Sequence, residues 1–146
     1  MKRPLSMYLV VFCVICGLAG CVSSSPPSAR SSCSFEQVWD TAIASLEGGK
    51  LESADKANGG VETAWLEVPS QGRAGIMDRD VNKERVKYIV EVQRGTTATV
   101  ATVQQRREQW TPMGVRMNQW RAIPANSAEE MTLANEIARR LKEKGC

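Results

Sequence analysis

Five cysteines and no histidine set the chemistry open to this 146-residue chain. A cysteine thiolate is a nucleophile, a metal ligand or half of a disulfide, and its surroundings decide which. Without histidine there is no Ser-His-Asp or Cys-His catalysis and no His-ligated zinc. Cys13 and Cys16 lie within an apolar run and read as small hydrophobes. Cys21 follows the small residues Ala19 and Gly20. Cys33 and Cys146 remain, an even number that suits a disulfide in an oxidising compartment. The alternatives are two free thiols or an intermolecular bridge through the terminal Cys146. Glu129 and Glu130 are adjacent carboxylates, but a place in the first turn of a helix explains them through the helix dipole. No catalytic residue, metal-ligand set or cofactor motif is expected.

The elements around Cys21 form a targeting signal. Lys2 and Arg3 give a cationic start, and residues 5–16 are apolar except for Ser6. That run falls short of the roughly 20 residues that span a bilayer, and it fits a secretory signal instead. Leu18-Ala19-Gly20-Cys21 resembles the lipobox of bacterial lipoproteins; the alternative is a conventional signal with an incidental cysteine. The resemblance implies cleavage between Gly20 and Cys21 and acylation of the Cys21 thiol. Each buried CH₂ then adds about 0.8 kcal/mol of membrane affinity. Val22, where an aspartate would retain such a protein at the inner membrane, implies the outer membrane, facing the periplasm, if the source is Gram-negative.

Three segments follow: a signal over residues 1–20, a lipidated tether over 21–33, and one domain over 34–146. Serine and proline dominate residues 22–32, so they read as a linker reaching up to roughly 35–40 Å. Removing Lys2 and Arg3 with the signal lowers the net charge from +3 to +1. A nearly neutral domain gives no reason to expect nucleic acid as a partner.

Within the domain, Ser34 and Gln37 form a capping box ahead of Phe35, Val38, Trp39, Ala42, Ile43 and Leu46 at helical spacing. Gly48-Gly49 ends that helix. Residues 50–57 and 61–68 read as a hairpin about Asn58-Gly59. Residues 69–82 read as a long loop. Residues 84–94 read as a strand with Val86, Tyr88, Val90 and Val92 on one face and Ile89 as the exception. Residues 96–109 read as a strand whose alternation does not settle its buried face, and a shorter one is expected near 115–122. Ser127 and Glu130 predict a second capping box, opening a helix to about Lys144. The predicted fold is α+β, in the order α-β-β-β-β-(β)-α. It places an antiparallel sheet of about four to five strands against an N-terminal and a C-terminal helix.

The run Ser34-Phe35-Glu36-Gln37-Val38-Trp39, then Gly48-Gly49, Asn58-Gly59-Gly60-Val61-Glu62-Thr63-Ala64-Trp65 and the closing amphipathic helix resemble a BamC-type helix-grip domain. BamC is a lipoprotein subunit of the machinery that assembles outer-membrane β-barrels. The resemblance covers about residues 34–142 as a pattern of elements, with one such domain here where BamC has two. It implies a non-catalytic accessory protein and supplies no catalytic residues.

The expected partners are therefore a bilayer, through Cys21, and an envelope protein. Arg73, Asp78, Arg79 and Asp80 in the long loop, together with Trp110, are the candidate partner-binding residues, against a reading as a solvated loop and rim packing. Trp39, Trp65 and Trp120 are expected to pack inward, and Arg106-Arg107 to form a solvated strand end. The rival expectation is a carrier of a small apolar ligand or lipid. Filling of the interior by Trp39, Trp65 and Tyr88 weighs against it.

Overall fold

The computed structural model describes residues 25–46, 48–69, 83–112 and 118–146. Cys21, the segment before it, and Arg73, Asp78, Arg79 and Asp80 lie outside the described residues. The elements run β1 Ser28–Ser31, α1 Phe35–Ser45, β2 Leu51–Asp55, β3 Gly60–Thr63, β4 Leu66–Pro69, β5 Lys83–Arg94, β6 Thr99–Pro112, β7 Asn118–Ile123 and α2 Ser127–Glu143. The α+β class and the two flanking helices are as the sequence predicts. Among the described residues the sheet has seven strands, not four or five.

Two differences account for the larger count. Ser28–Ser31, read as tether, is a strand antiparallel to β6, with Ser28 opposite Thr102 and Ser31 opposite Thr99. Its buried positions are Ala29 and Ser31, too slight an apolar signal to register as periodicity. The second difference is a break in the strand expected over 61–68. β3 pairs with β5 so that Glu62 opposes Ile89, whereas in β4 Leu66 opposes Val86. Continuing the β3 register would put Trp65 opposite Val86. One extra residue has therefore entered at Ala64-Trp65, and it reverses which face each later side chain takes.

β5 and β6 form the long central pair, from Glu84 opposite Gln109 to Arg94 opposite Thr99. Each shares its outer edge between two short strands. β1 and β7 line β6, β3 and β4 line β5, and β2 extends the sheet beyond β3. Asn58-Gly59 turns β2 into β3 as predicted. Gly59 has φ 74° and its Cα lies so near the carbonyl of Val92 that a Cβ would come within 2.1 Å of the oxygen. Only glycine fits there.

The helices lie on one face. α1 is capped by Ser34, whose hydroxyl accepts from the Gln37 N–H while Gln37 accepts from the Ser34 N–H at 3.0 Å. The expected cap of α2 is one residue early in the structure. Asn126, not Ser127, accepts from the Ala128 N–H at 3.1 Å, and Glu130 is drawn away to the sheet. Val38, Trp39, Ala42 and Leu46 of α1 meet Ala134, Ile137 and Leu141 of α2 above Val61, Val90, Val92, Ala101 and Val103. Ile89 faces the other way, which explains its exception to the alternation.

The helices run antiparallel. Arg140 donates to the Ala44 carbonyl at 2.9 Å, Lys144 donates to the Thr41 hydroxyl at 2.8 Å, and Cys33 is disulfide-bonded to Cys146 with Cα atoms 5.2 Å apart. The bridge closes a sequence separation of 113 residues and joins the β1–α1 junction to the end of α2. A loop of that length constrains the unfolded chain strongly. Replacing both residues, Cys33→Ala with Cys146→Ala, is expected to lower stability by about 2–5 kcal/mol in urea titrations. Equal midpoints for the two proteins under non-reducing conditions would show that the bridge contributes nothing.

Candidate functional site

The extra residue at Ala64-Trp65 shapes both faces of the sheet. It carries Trp65 to the face away from the helices, where the Arg85 guanidinium lies 4.4 Å from the Trp65 ring and 4.4 Å from the Trp120 ring. Trp110 meets Trp120 edge-on, with ring centroids 5.5 Å apart. Arg85 also donates to Glu108 at 2.7 Å, and Lys87 pairs with Glu52 at 2.5 Å. A cation between two indoles and a carboxylate at its edge tie the β3–β4 junction, β5, β6 and β7 together.

This arrangement corrects several expectations. Trp65 and Trp120 do not pack into the core; they are half-buried in this ladder. Trp110 is half-buried too, with its indole engaged by Trp120. Arg107, read as a solvated strand end, is nearly buried and pairs with buried Glu84 at 2.6 Å, while Arg106 is exposed. Trp39 is in the core as expected.

On the helix side Leu66 takes the place opposite Val86, and Trp65 itself still borders the space left open there. An open groove of about 490 Å³ runs between the end of α1, the β3–β4 break and the first turns of α2. Leu46, Ala64, Leu66 and Leu133 form apolar walls, and Tyr88 and Glu129 line it as well. Leu66 is 48% exposed, an apolar side chain left at the mouth. Tyr88, expected to fill the interior, borders this groove instead. The interior is therefore not packed solid at this end.

Glu129 and Glu130 are in the first turn of α2, as predicted, yet they do more than complement its dipole. Gln105 is the hub. Its backbone N–H donates to Glu130 at 2.8 Å, and its side-chain nitrogen donates to Glu129 at 2.6 Å and to the Tyr88 oxygen at 3.1 Å. Its side-chain oxygen accepts from the Asn126 N–H at 2.8 Å. Tyr88 donates to Glu129 at 3.2 Å, and the Asn126 amide donates to Glu129 at 2.8 Å. Sequence alternation fails on β6 because a buried position there is held by this polar residue. The groove's other carboxylate, Glu136, is held by Arg139 and Arg140, which keep its carboxyl down at about 2.

A larger hollow, about 760 Å³, lies at the other end of α1 beside Phe35, Asn58 and Arg94. Its charged groups are already engaged: Glu36 pairs with Lys56, and Arg94 stacks 4.4 Å from the Phe35 ring. Among the described residues, no group of three or more acidic or cysteine side chains is placed to hold a metal ion. No described helix is long and apolar enough to cross a membrane. The apolar groove with a carboxylate at its base is the better candidate site. Neither a scan against protein-family models nor a search of curated proteins finds a match to this chain.

Two predictions follow from these contacts. Arg85→Ala is expected to cost about 1–2 kcal/mol and to red-shift tryptophan emission, with Arg85→Lys intermediate. Unchanged emission in Arg85→Ala would mean that the indoles do not depend on the guanidinium. Tyr88 is the sole tyrosine once residues 1–20 are removed, so an ultraviolet titration reads it alone. Burial pushes its pKa above the ordinary 10.0; donation from Gln105 opposes this and the Glu129 charge reinforces it. The neutral phenol is thus the favoured form in the fold. Its contribution is complete below pH 10 and is lost as pH rises through the folded value. A phenol titrating at or below the ordinary value would contradict this placement.

Proposed function

We propose that this chain is a lipid-anchored, non-catalytic binding module of the cell envelope, held at a membrane by acylated Cys21. The sequence supports the anchor, through the cationic start, the apolar run and Leu18-Ala19-Gly20-Cys21. The Cys33–Cys146 bridge is in keeping with an oxidising compartment. The observation that carries the binding role is the groove. It leaves Leu66 48% exposed, with Ala64 and Leu133 only part-buried beside it, where a well-packed domain buries such side chains. In this reading the anchor raises the local concentration of the domain, and the groove engages a partner at the membrane. The resemblance to BamC-type domains extends the reading to an accessory role in outer-membrane protein assembly or envelope maintenance.

A second reading makes the domain a carrier of a small apolar ligand or lipid. The groove favours it specifically, since about 490 Å³ falls in the range of ordinary small-ligand sites.

Cys21→Ser is expected to move the protein from the membrane to the soluble fraction and to abolish labelling by palmitate. A photo-crosslinking residue at Leu66 is expected to capture an occupant in intact envelopes, while one at exposed Gln104, on the opposite face, captures none. Membrane retention of Cys21→Ser would remove the anchor. Identical capture from both positions would remove the groove.

A further inference from the structure

We infer that the groove accepts an amphiphile with a long apolar body and a cationic ammonium head, an inference that rests on the ligand-carrying reading above. The walls select the body. Leu46, Ala64, Leu66 and Leu133 offer only apolar contact, so an alkyl chain laid along them removes water from both surfaces.

The base selects the head. Glu129 lines the groove and is part-buried against the sheet. Its oxygens accept from Tyr88, Gln105 and Asn126, all uncharged donors. Among the described residues no lysine or arginine is ion-paired with it, in contrast to Glu136, which Arg139 and Arg140 neutralise. Glu130, the next residue, adds a second carboxylate to the same turn, and it too is held by an uncharged donor, the Gln105 N–H. The dipole of α2 and the neutral donors keep Glu129 in place, but they bring only partial positive charge.

Lys50 also lines the groove, on its exposed side, where solvent screens an ammonium most. Arg107 acts on Tyr88 through its charge but is paired with Glu84, so Glu129 and Glu130 keep the base negative; it is partly desolvated, and the walls are greasy. An ammonium at the base gains a charge-assisted hydrogen bond. A carboxylate or sulfate head meets like charge there, and a neutral head gains neither.

The test uses the whole chain carrying Cys21→Ser, so that no acyl group of its own competes for the groove. Dodecylammonium, laurate and dodecyl maltoside are titrated below their micellar concentrations by calorimetry. Dodecylammonium is expected to bind about tenfold more tightly than either of the others, the value of one charge-assisted contact. Glu129→Gln is expected to remove that preference. Because Glu129 also braces the sheet, a second variant at the exposed mouth, Leu66→Lys, guards against misfolding; it is expected to weaken the ammonium and strengthen laurate.

Equal binding of all three amphiphiles overturns the head-group inference but leaves the apolar-ligand reading standing. Binding of none overturns both. Binding of a lysine-containing apolar peptide, with no alkylammonium bound, overturns the inference in favour of a polypeptide occupant.

Discussion

Gln105 sits on the helix side of β6, at the level where neither β1 nor β7 reaches that strand's outer edge. β1 pairs with residues 99–102 and β7 with residues 107–112. In the gap, the Val103 N–H donates to the Pro27 carbonyl and the Gln105 N–H to Glu130. Gln105 itself is 5% exposed, so its backbone N–H and both side-chain polar atoms need partners, and each finds one on Tyr88, Asn126, Glu129 or Glu130. An unsatisfied group here would cost about 1–3 kcal/mol. The start of α2 is thereby fixed over the middle of the sheet by hydrogen bonds, and its far end is fixed by a covalent bridge. Everything on the helix face follows from those two attachments, including the position of Glu129 beside the groove.

The second constraint is the single extra residue between β3 and β4. A regular strand would have pointed Trp65 toward the helices, where its indole could have filled the space beside Tyr88. The bulge sends it to the opposite face instead. The same displacement supplies one wall of the arginine–tryptophan ladder and sets Leu66 at the mouth of the apolar groove, which Trp65 still borders. The two features on opposite sides of the sheet have one cause.

This also explains what could be read from the chain beforehand. Helical spacing and capping residues mark α1 and α2 because packing and cap chemistry act within one turn. Val86, Tyr88, Val90 and Val92 mark β5 because one face is apolar along most of its length. The strand Ser28–Ser31 escaped notice because its pairing is made by backbone groups that every residue carries. The bulge escaped notice because nothing in Thr63-Ala64-Trp65-Leu66 announces an added residue; only the pairing with β5 defines it. Glu129 and Glu130 were legible as helix-start residues, but their reach to Gln105 depends on contacts between elements 24 and 25 residues apart. Arg73, Asp78, Arg79 and Asp80 owe their interest to sequence alone, whereas the groove assembles from residues too dispersed to form a motif.

The placement of β1 changes how the domain would bear a mechanical load. A chain held by its N-terminus transmits tension first into Ser28–Ser31, whose hydrogen bonds to β6 resist sliding together as a set. Only one residue, Ser32, separates that strand from Cys33. Should the strand slip, the pull passes through the disulfide to the end of α2, by a covalent route that bypasses α1 and most of the sheet. With the chain pulled between its N-terminus and Cys146, the intervening body hangs within a closed loop and carries none of the tension.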